Sequence, residues 1–244
     1  MVGASSGLGR CIGTALGQRG DAVALLARRL DRLTDAAGEA GAGALAIACD
    51  VTDEQGCRAA IDEAAAGLGG IDGLVYASGV GTLAPLVDTD AATWRRTLDT
   101  NVIGAALATT AALPHLTASS GVAAYLSSVS ASSTPWPGLG AYVTSKAALE
   151  KMVEAWRVEH PGVGFTRITV GDCVGGKGDA RVQFNAGWDP DLFTEMAGTW
   201  LSRGLLSGAM LDVQELIRVV TTVLACGASA SIPSVTVVPR RAAN

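Results

Sequence analysis

Tyr125-Leu-Ser-Ser-Val-Ser-Ala-Ser-Ser-Thr-Pro-Trp-Pro-Gly-Leu-Gly-Ala-Tyr142-Val-Thr-Ser-Lys146 couples the end of a strand-like run to the start of a helix-like one. An apolar run, Val122 to Leu126, ends in serines, crosses a Pro/Gly loop and enters a helix-forming segment that carries Tyr142 and Lys146. Four residues apart on a helix, a tyrosine and a lysine share a face, about one turn from each other. A free phenol titrates near pH ~10, so bringing it to neutrality takes roughly 4 kcal/mol. An ammonium ~5 Å away at an effective dielectric of ~20 supplies roughly 3 kcal/mol. The spacing therefore predicts a phenol that Lys146 turns into a proton donor and acceptor. An upstream serine hydroxyl would hold the oxygen that receives or loses that proton.

Working outward, the chain alternates short apolar runs with helical stretches. Ala22–Ala27, Ala44–Cys49, Ile71–Tyr76, Val122–Leu126, Gly164–Val170 and Val235–Pro239 read as buried strands. Helices are expected over Cys11–Arg19, Leu30–Ala40, the run to Leu68, a long stretch from Thr93 to His115, the Tyr142 segment to His160, and Val213–Cys226. Such alternation predicts an α/β fold: a doubly wound, mainly parallel sheet with helices on both faces, in three layers. The 244 residues suit one domain, 1–244. Gly175 to Leu211 reads as irregular, with Trp188, Phe193, Met196, Trp200 and Met210. It is either a mobile apolar lid on the substrate side or a peripheral helix packing its aromatics inward.

The composition excludes several classes. A net charge of −5 leaves no basic footprint for nucleic acid. Five cysteines, odd in number and without Cys-x-x-Cys spacing, indicate neither a disulfide framework nor a metal site. They read as small buried residues of a reducing compartment. No apolar run reaches membrane-spanning length and no secretory signal is present. A cytoplasmic protein is expected. His115 and His160 lie near helix ends beside prolines and read as structural.

The amino terminus reads Met1-Val2-Gly3-Ala4-Ser5-Ser6-Gly7-Leu8-Gly9-Arg10. Glycines at 3, 7 and 9 before a helix fit a loop that brings backbone close to a pyrophosphate. Only Met1 and Val2 precede Gly3, where a central strand is expected. Its loss predicts unpaired strand edges in the core, and either an upstream start or a compromised chain. About twenty residues on, Ala27 stands where an NAD site places a carboxylate, and Arg28 follows. A guanidinium there favours a 2′-phosphate, hence NADP(H) over NAD(H).

The glycine loop, Ser127-Ser128 ahead of a Pro/Gly loop, and Tyr142-x-x-x-Lys146 followed by Ala147-Ala148-Leu149 together resemble the short-chain dehydrogenase/reductase family over nearly the whole chain. The resemblance implies a cofactor site made by Gly3, Ser5, Ser6, Gly7, Leu8, Gly9, Arg28, the Asp50-Val51 pair, Ala77, Gly79, Tyr142 and Lys146. It implies catalysis by Asn101, Ser128, Tyr142 and Lys146, with Asn101 at a helix irregularity where it fixes a relay water. The family commonly places its serine thirteen residues before the tyrosine, on Val129; Ser128 is chosen over Ser130, with one residue inserted in Thr134–Gly138. Two departures stand out: Tyr76-Ala-Ser-Gly79 replaces Asn-Asn-Ala-Gly, and Gly171-Asp172 replaces Pro-Gly.

The function so implied is NADP(H)-dependent interconversion of a carbonyl and an alcohol on a small apolar substrate, in a homo-oligomer, without metal, nucleic acid or membrane. The departures motivate an alternative, a nucleotide-binding homologue that is catalytically silent and acts through a partner.

Overall fold

The computed structural model describes residues 1–176, 184–206 and 208–240. In chain order its elements are α1 (Gly7–Gln18), β1 (Ala24–Ala27), α2 (Leu30–Ala40), β2 (Leu45–Ala48), α3 (Glu54–Leu68) and β3 (Gly73–Tyr76). Then come α4 (Ala91–Leu98), a π-helical turn (Asp99–Ile103), α5 (Gly104–Ser119), β4 (Val122–Ser128) and the short α6 (Val129–Ser132). The chain continues with α7 (Gly140–Glu159), β5 (Gly164–Val170), α8 (Pro190–Ser202), α9 (Val213–Leu224) and β6 (Ser234–Val237).

All strand pairs are parallel: β1 with β2, and β3-β4-β5-β6 in that order. β1, β3, β4 and β5 are buried on both faces, and their alternate residues feed two cores. Ala24, Leu26, Tyr76, Ala123 and Tyr125 face α3, α5 and α7, whereas Leu25, Ala27, Val75, Ala124 and Leu126 face α1, α2 and α9. The expected three-layer, doubly wound architecture is the observed one.

Among the described residues no strand stands between the two groups, as expected from the short start; what changes is the expectation of unpaired edges, because Val2 bridges the gap. Val2 bridges Leu26 on one side and Tyr76 on the other, both in parallel. The Met1 nitrogen donates to Ala24 O at 2.8 Å, Leu26 N to Met1 O at 2.8 Å, Val2 N to Val75 O at 2.9 Å and Ala77 N to Val2 O at 2.9 Å. The flanking strands are only four residues long. Two residues therefore satisfy the backbone groups that matter at their carboxyl ends, where the site forms.

Two further expectations change. The stretch from Gly175 to Leu211 is not irregular throughout: α8 runs over Pro190–Ser202, started by Asp189, whose carboxylate accepts from Leu192 N at 2.8 Å. The rest of the expected lid includes residues 177–183 and 207, outside the described residues. Asp53 caps α3, accepting from Gln55 N. Finally, Ala91–Ser119 forms a continuous helical run that is long and apolar enough to span a bilayer by length and composition, with mean hydropathy 1.3. Its apolarity has a local use, because Ala105, Ala108, Ala112 and Leu116 are fully buried against the core.

Val2 is 1 % exposed at the junction of the two strand groups. Val2→Ala deletes two methyl groups from that position and is expected to cost roughly 1.5–3 kcal/mol with an unchanged urea m-value. An unchanged midpoint in urea denaturation would show that this junction does not hold the sheet together.

Candidate active site

A cleft of ≈ 630 Å³ runs over the carboxyl ends of the strands, where open α/β sheets place ligands. Gly3, Ser5, Ser6, Gly7, Leu8, Gly9 and Arg28 line one end; Asp50, Val51, Ala77 and Gly79 line the middle; Ser128, Tyr142 and Lys146 line the other end. Of the residues named from sequence, Asn101 alone is not in the wall, although its neighbour Thr100 is.

The glycine loop is required first by the protein itself. A Cβ on Gly9 would lie 2.2 Å from Gly3 O, and one on Gly3 would lie 2.5 Å from Ser78 N. Gly3 and Gly7 also have φ of +88° and +58°, a region that side chains disfavour. The tight loop delivers the amino end of α1 to the cleft. Ser6 is its N-cap but makes no side-chain capping bond, so the first-turn N–H groups of α1 have no such partner. An anion suits that end.

Arg29 is a residue that sequence reading missed. Its Nη2 donates to both Ser5 Oγ and Ser6 Oγ at 2.9 Å, so it arches over the loop, while Arg28 is exposed at the rim. Burial, followed by the charges of Arg32 and Arg28, pulls its guanidinium below the usual value. The Arg28-Arg29 doublet at a strand end was the available signal. Asp50 accepts from Thr52 N at 3.0 Å and Thr52 Oγ1 at 2.8 Å, and these bonds hold its carboxyl below the ordinary range. A long cleft with cationic and helix-terminal donors at one end fits a dinucleotide phosphate group.

At the other end, β4 presents Ser128 and α7 presents Tyr142. The Ser128 hydroxyl lies 2.9 Å from Ser130 Oγ, and both it and the Tyr142 phenol line the cleft. Ser130 itself is almost fully buried, behind Ser128. Lys146 Nζ donates to Leu126 O at 2.8 Å and sits 5.9 Å from the Tyr142 ring centroid.

The expected lowering of the phenol by Lys146 is not what the structure has. Burial pushes Tyr142 up to about 12, with the Ser128 hydroxyl pulling the other way. Burial also pulls Lys146 down to about 8, against the raising effect of Glu150. Burial is the larger effect, and the ammonium is hydrogen-bonded to a strand carbonyl, Leu126 O.

Asn101 lies in the π-helical turn, at the helix irregularity expected for it. Its Oδ1 accepts from Val80 N at 2.8 Å, and its Nδ2 donates to Val80 O at 2.9 Å and Ser145 Oγ at 2.8 Å. The side-chain amide is thus engaged in holding the wall beside Lys146. Tyr76, which stands in place of an asparagine, donates its phenol to Thr100 O at 2.5 Å. It ties β3 to the same π-turn, replacing by another route the bonds expected from the amides.

The outer wall is aromatic. Phe184 stands edge-on to Tyr142 with centroids 4.7 Å apart and touches Trp188, which leans on Trp200 and Phe193. Trp136 lies 5.2 Å from Trp200. The indoles are anchored: Trp188 Nε1 donates to Gly81 O at 3.0 Å and Trp200 Nε1 to Pro137 O at 2.9 Å. Asp172, the unexpected carboxylate, also lines the cleft, and its carbonyl accepts from Leu211 N at 2.7 Å.

With this geometry in view, the comparisons with known proteins are specific. The family described as short chain dehydrogenase matches residues 1–183. A short chain dehydrogenase of Pseudocercospora fijiensis is 36 % identical over 170 residues, which are 67 % of this chain and 55 % of that one. Cis-4-hydroxycyclohexanecarboxylate dehydrogenase of Sinomonas cyclohexanicum is 33 % identical over 169 residues, 68 % of each chain. The 11-beta-hydroxysteroid dehydrogenase A of Sesamum indicum is 33 % identical over 177 residues, 70 % of this chain and 51 % of that one. The match thus spans about half the length of the fungal and sesame relatives. A solved short-chain type dehydrogenase/reductase from Mycobacterium marinum superposes with a TM-score of 0.81 at 27 % identity, covering 98 % of this chain and 92 % of its own. The chain belongs to the short chain dehydrogenase family.

Proposed function

We propose that this chain is an NADP(H)-dependent oxidoreductase that interconverts a carbonyl and an alcohol on a small, apolar substrate. The observation that carries the reading is one cleft lined by Ser128, Tyr142 and Lys146 at one end, and by Arg28, Arg29 and the start of α1 at the other. When bound, a nicotinamide nucleotide supplies or accepts the hydride. The chain's own residues hold its phosphates, orient the substrate oxygen and move one proton.

In the reducing direction Tyr142 is the acid. A phenol raised to about 12 stays protonated across neutral pH, ready to give its proton to a carbonyl oxygen as negative charge develops there. Ser128 donates to the same oxygen and fixes its position. Lys146 holds the ribose and offsets the charge left on the phenolate. Asn101 keeps the neighbouring wall in register. In the oxidising direction the phenolate is the base, and the same two partners stabilise it.

The aromatic wall supports an apolar substrate, and two relatives are named for hydroxylated ring compounds, a hydroxycyclohexanecarboxylate and an 11-beta-hydroxysteroid. Arg28 at the rim and Arg29 on the loop serines support NADP(H) over NAD(H).

Arg28→Ala should weaken NADPH binding by ~1.5–3 kcal/mol, as for loss of a charge-assisted contact, and leave NADH nearly unchanged. Equal losses for the two nucleotides in a fluorescence titration would remove the 2′-phosphate assignment. Tyr142→Phe keeps the ring and should leave NADPH affinity intact while turnover of a carbonyl panel falls by ~10²–10⁴. Wild-type turnover in that variant would end the enzymatic reading.

A further inference from the structure

Glu150 lies one helical turn beyond Lys146 and is 6 % exposed. Few carboxylates are so deeply enclosed unless each oxygen is satisfied. Here Oε1 accepts from Ser127 Oγ at 2.6 Å and Oε2 from Arg167 Nη1 at 3.0 Å. Ser127 precedes Ser128, and Lys146 Nζ is bonded to the carbonyl of Leu126 just before it. Two successive residues of β4 thus receive the lysine and the glutamate of two successive turns of α7.

We infer that Glu150 is a positioning residue for the proposed reaction: seated on Ser127 and Arg167, it holds the Lys146 ammonium charged and in place behind Tyr142. The inference rests on the roles given to Tyr142 and Lys146 under the proposed function. An ammonium enclosed by protein favours losing its proton, and a fixed negative charge nearby opposes that loss. Glu150 is the charge that raises Lys146 against its burial. Facing the pair from neighbouring elements are Arg167 of β5, shared with Glu154 at 3.6 Å, the hydroxyls of Ser127 and Ser128 on β4, and the amide of Asn101 on the π-turn. Tyr142 is the ionisable neighbour on α7 itself.

The chain has three lysines, Lys146, Lys151 and Lys177, so lysine ¹³Cε NMR reads Lys146 directly, with Lys146→Met assigning its signal. In the wild-type protein Lys146 is expected to titrate at about 8. Glu150→Gln keeps shape and hydrogen bonding but not charge; the midpoint should fall by on the order of one unit, and the alkaline limb of the turnover profile should move down with it. An unmoved Lys146 midpoint overturns the inference. Arg167→Gln should not lower the midpoint; a drop equal to that of Glu150→Gln would mean that the ion pair only holds β5 to α7, and would also overturn it. If Glu150→Gln does not fold, Glu150→Gln with Arg167→Gln removes both members of the ion pair together; the midpoint should still fall, by less than in Glu150→Gln because a neighbouring cation is also lost, and an unmoved or raised midpoint overturns the inference. A Lys146 shift in a protein that turns over no carbonyl with NADPH would support this inference while removing the proposed function.

Discussion

The site depends on a buried ammonium. Enclosing Lys146 costs several kcal/mol unless its charge is matched locally, and the match comes from Leu126 O and the carboxylate of Glu150. Those contacts are directional. They leave α7 one rotation about its axis on β4, and that rotation puts Tyr142 opposite Ser128 and Ser145 against Asn101. The register of β4 on β5 places Tyr125 beside Arg167 and so brings the balancing guanidinium to Glu150. The reactive pair, the strand register and the Glu150–Arg167 ion pair are therefore one arrangement.

The second constraint is close approach. Gly9 against Gly3 O, Gly104 against Val51 and the Tyr76 hydroxyl, and Gly121 against Asp72 O are positions where a Cβ would fall under 3 Å from its neighbour. Such contacts let α1, α5 and the sheet come together with alanine-sized spacing, and they explain the many small residues in the two main cores. They also bring the π-turn of Asn101 under the end of β3, where the Tyr76 hydroxyl accepts the role of fastening strand to turn. A residue that reads as a departure from the family pattern is thereby given a structural use.

Beyond the sheet, a third cluster built on Leu83, Leu139, Val143 and Trp200 carries the aromatic wall. It packs on the outer side of Tyr142 through Phe184 and covers part of the ring, and burial is the physical source of the raised proton affinity there. Water exclusion and the apolar character of the substrate face have the same cause.

The alternation of apolar runs and helices was enough to set the parallel, doubly wound class, because strands buried on both faces leave a pattern that needs no partner to be seen. The glycine loop, Arg28, Ser128 and the Tyr142–Lys146 pair were legible for the same reason: their spacing along a loop or one helix is local. What crosses between elements was not. Arg29 on the loop serines, Tyr76 on the π-turn, Glu150 between Ser127 and Arg167, and Val2 bridging two strands all pair residues distant in sequence. The direction of the Tyr142 shift belongs with them, since spacing alone places a cation near a phenol. Only the tertiary structure decides whether that cation points at the oxygen or at a strand carbonyl, and how far burial outweighs it.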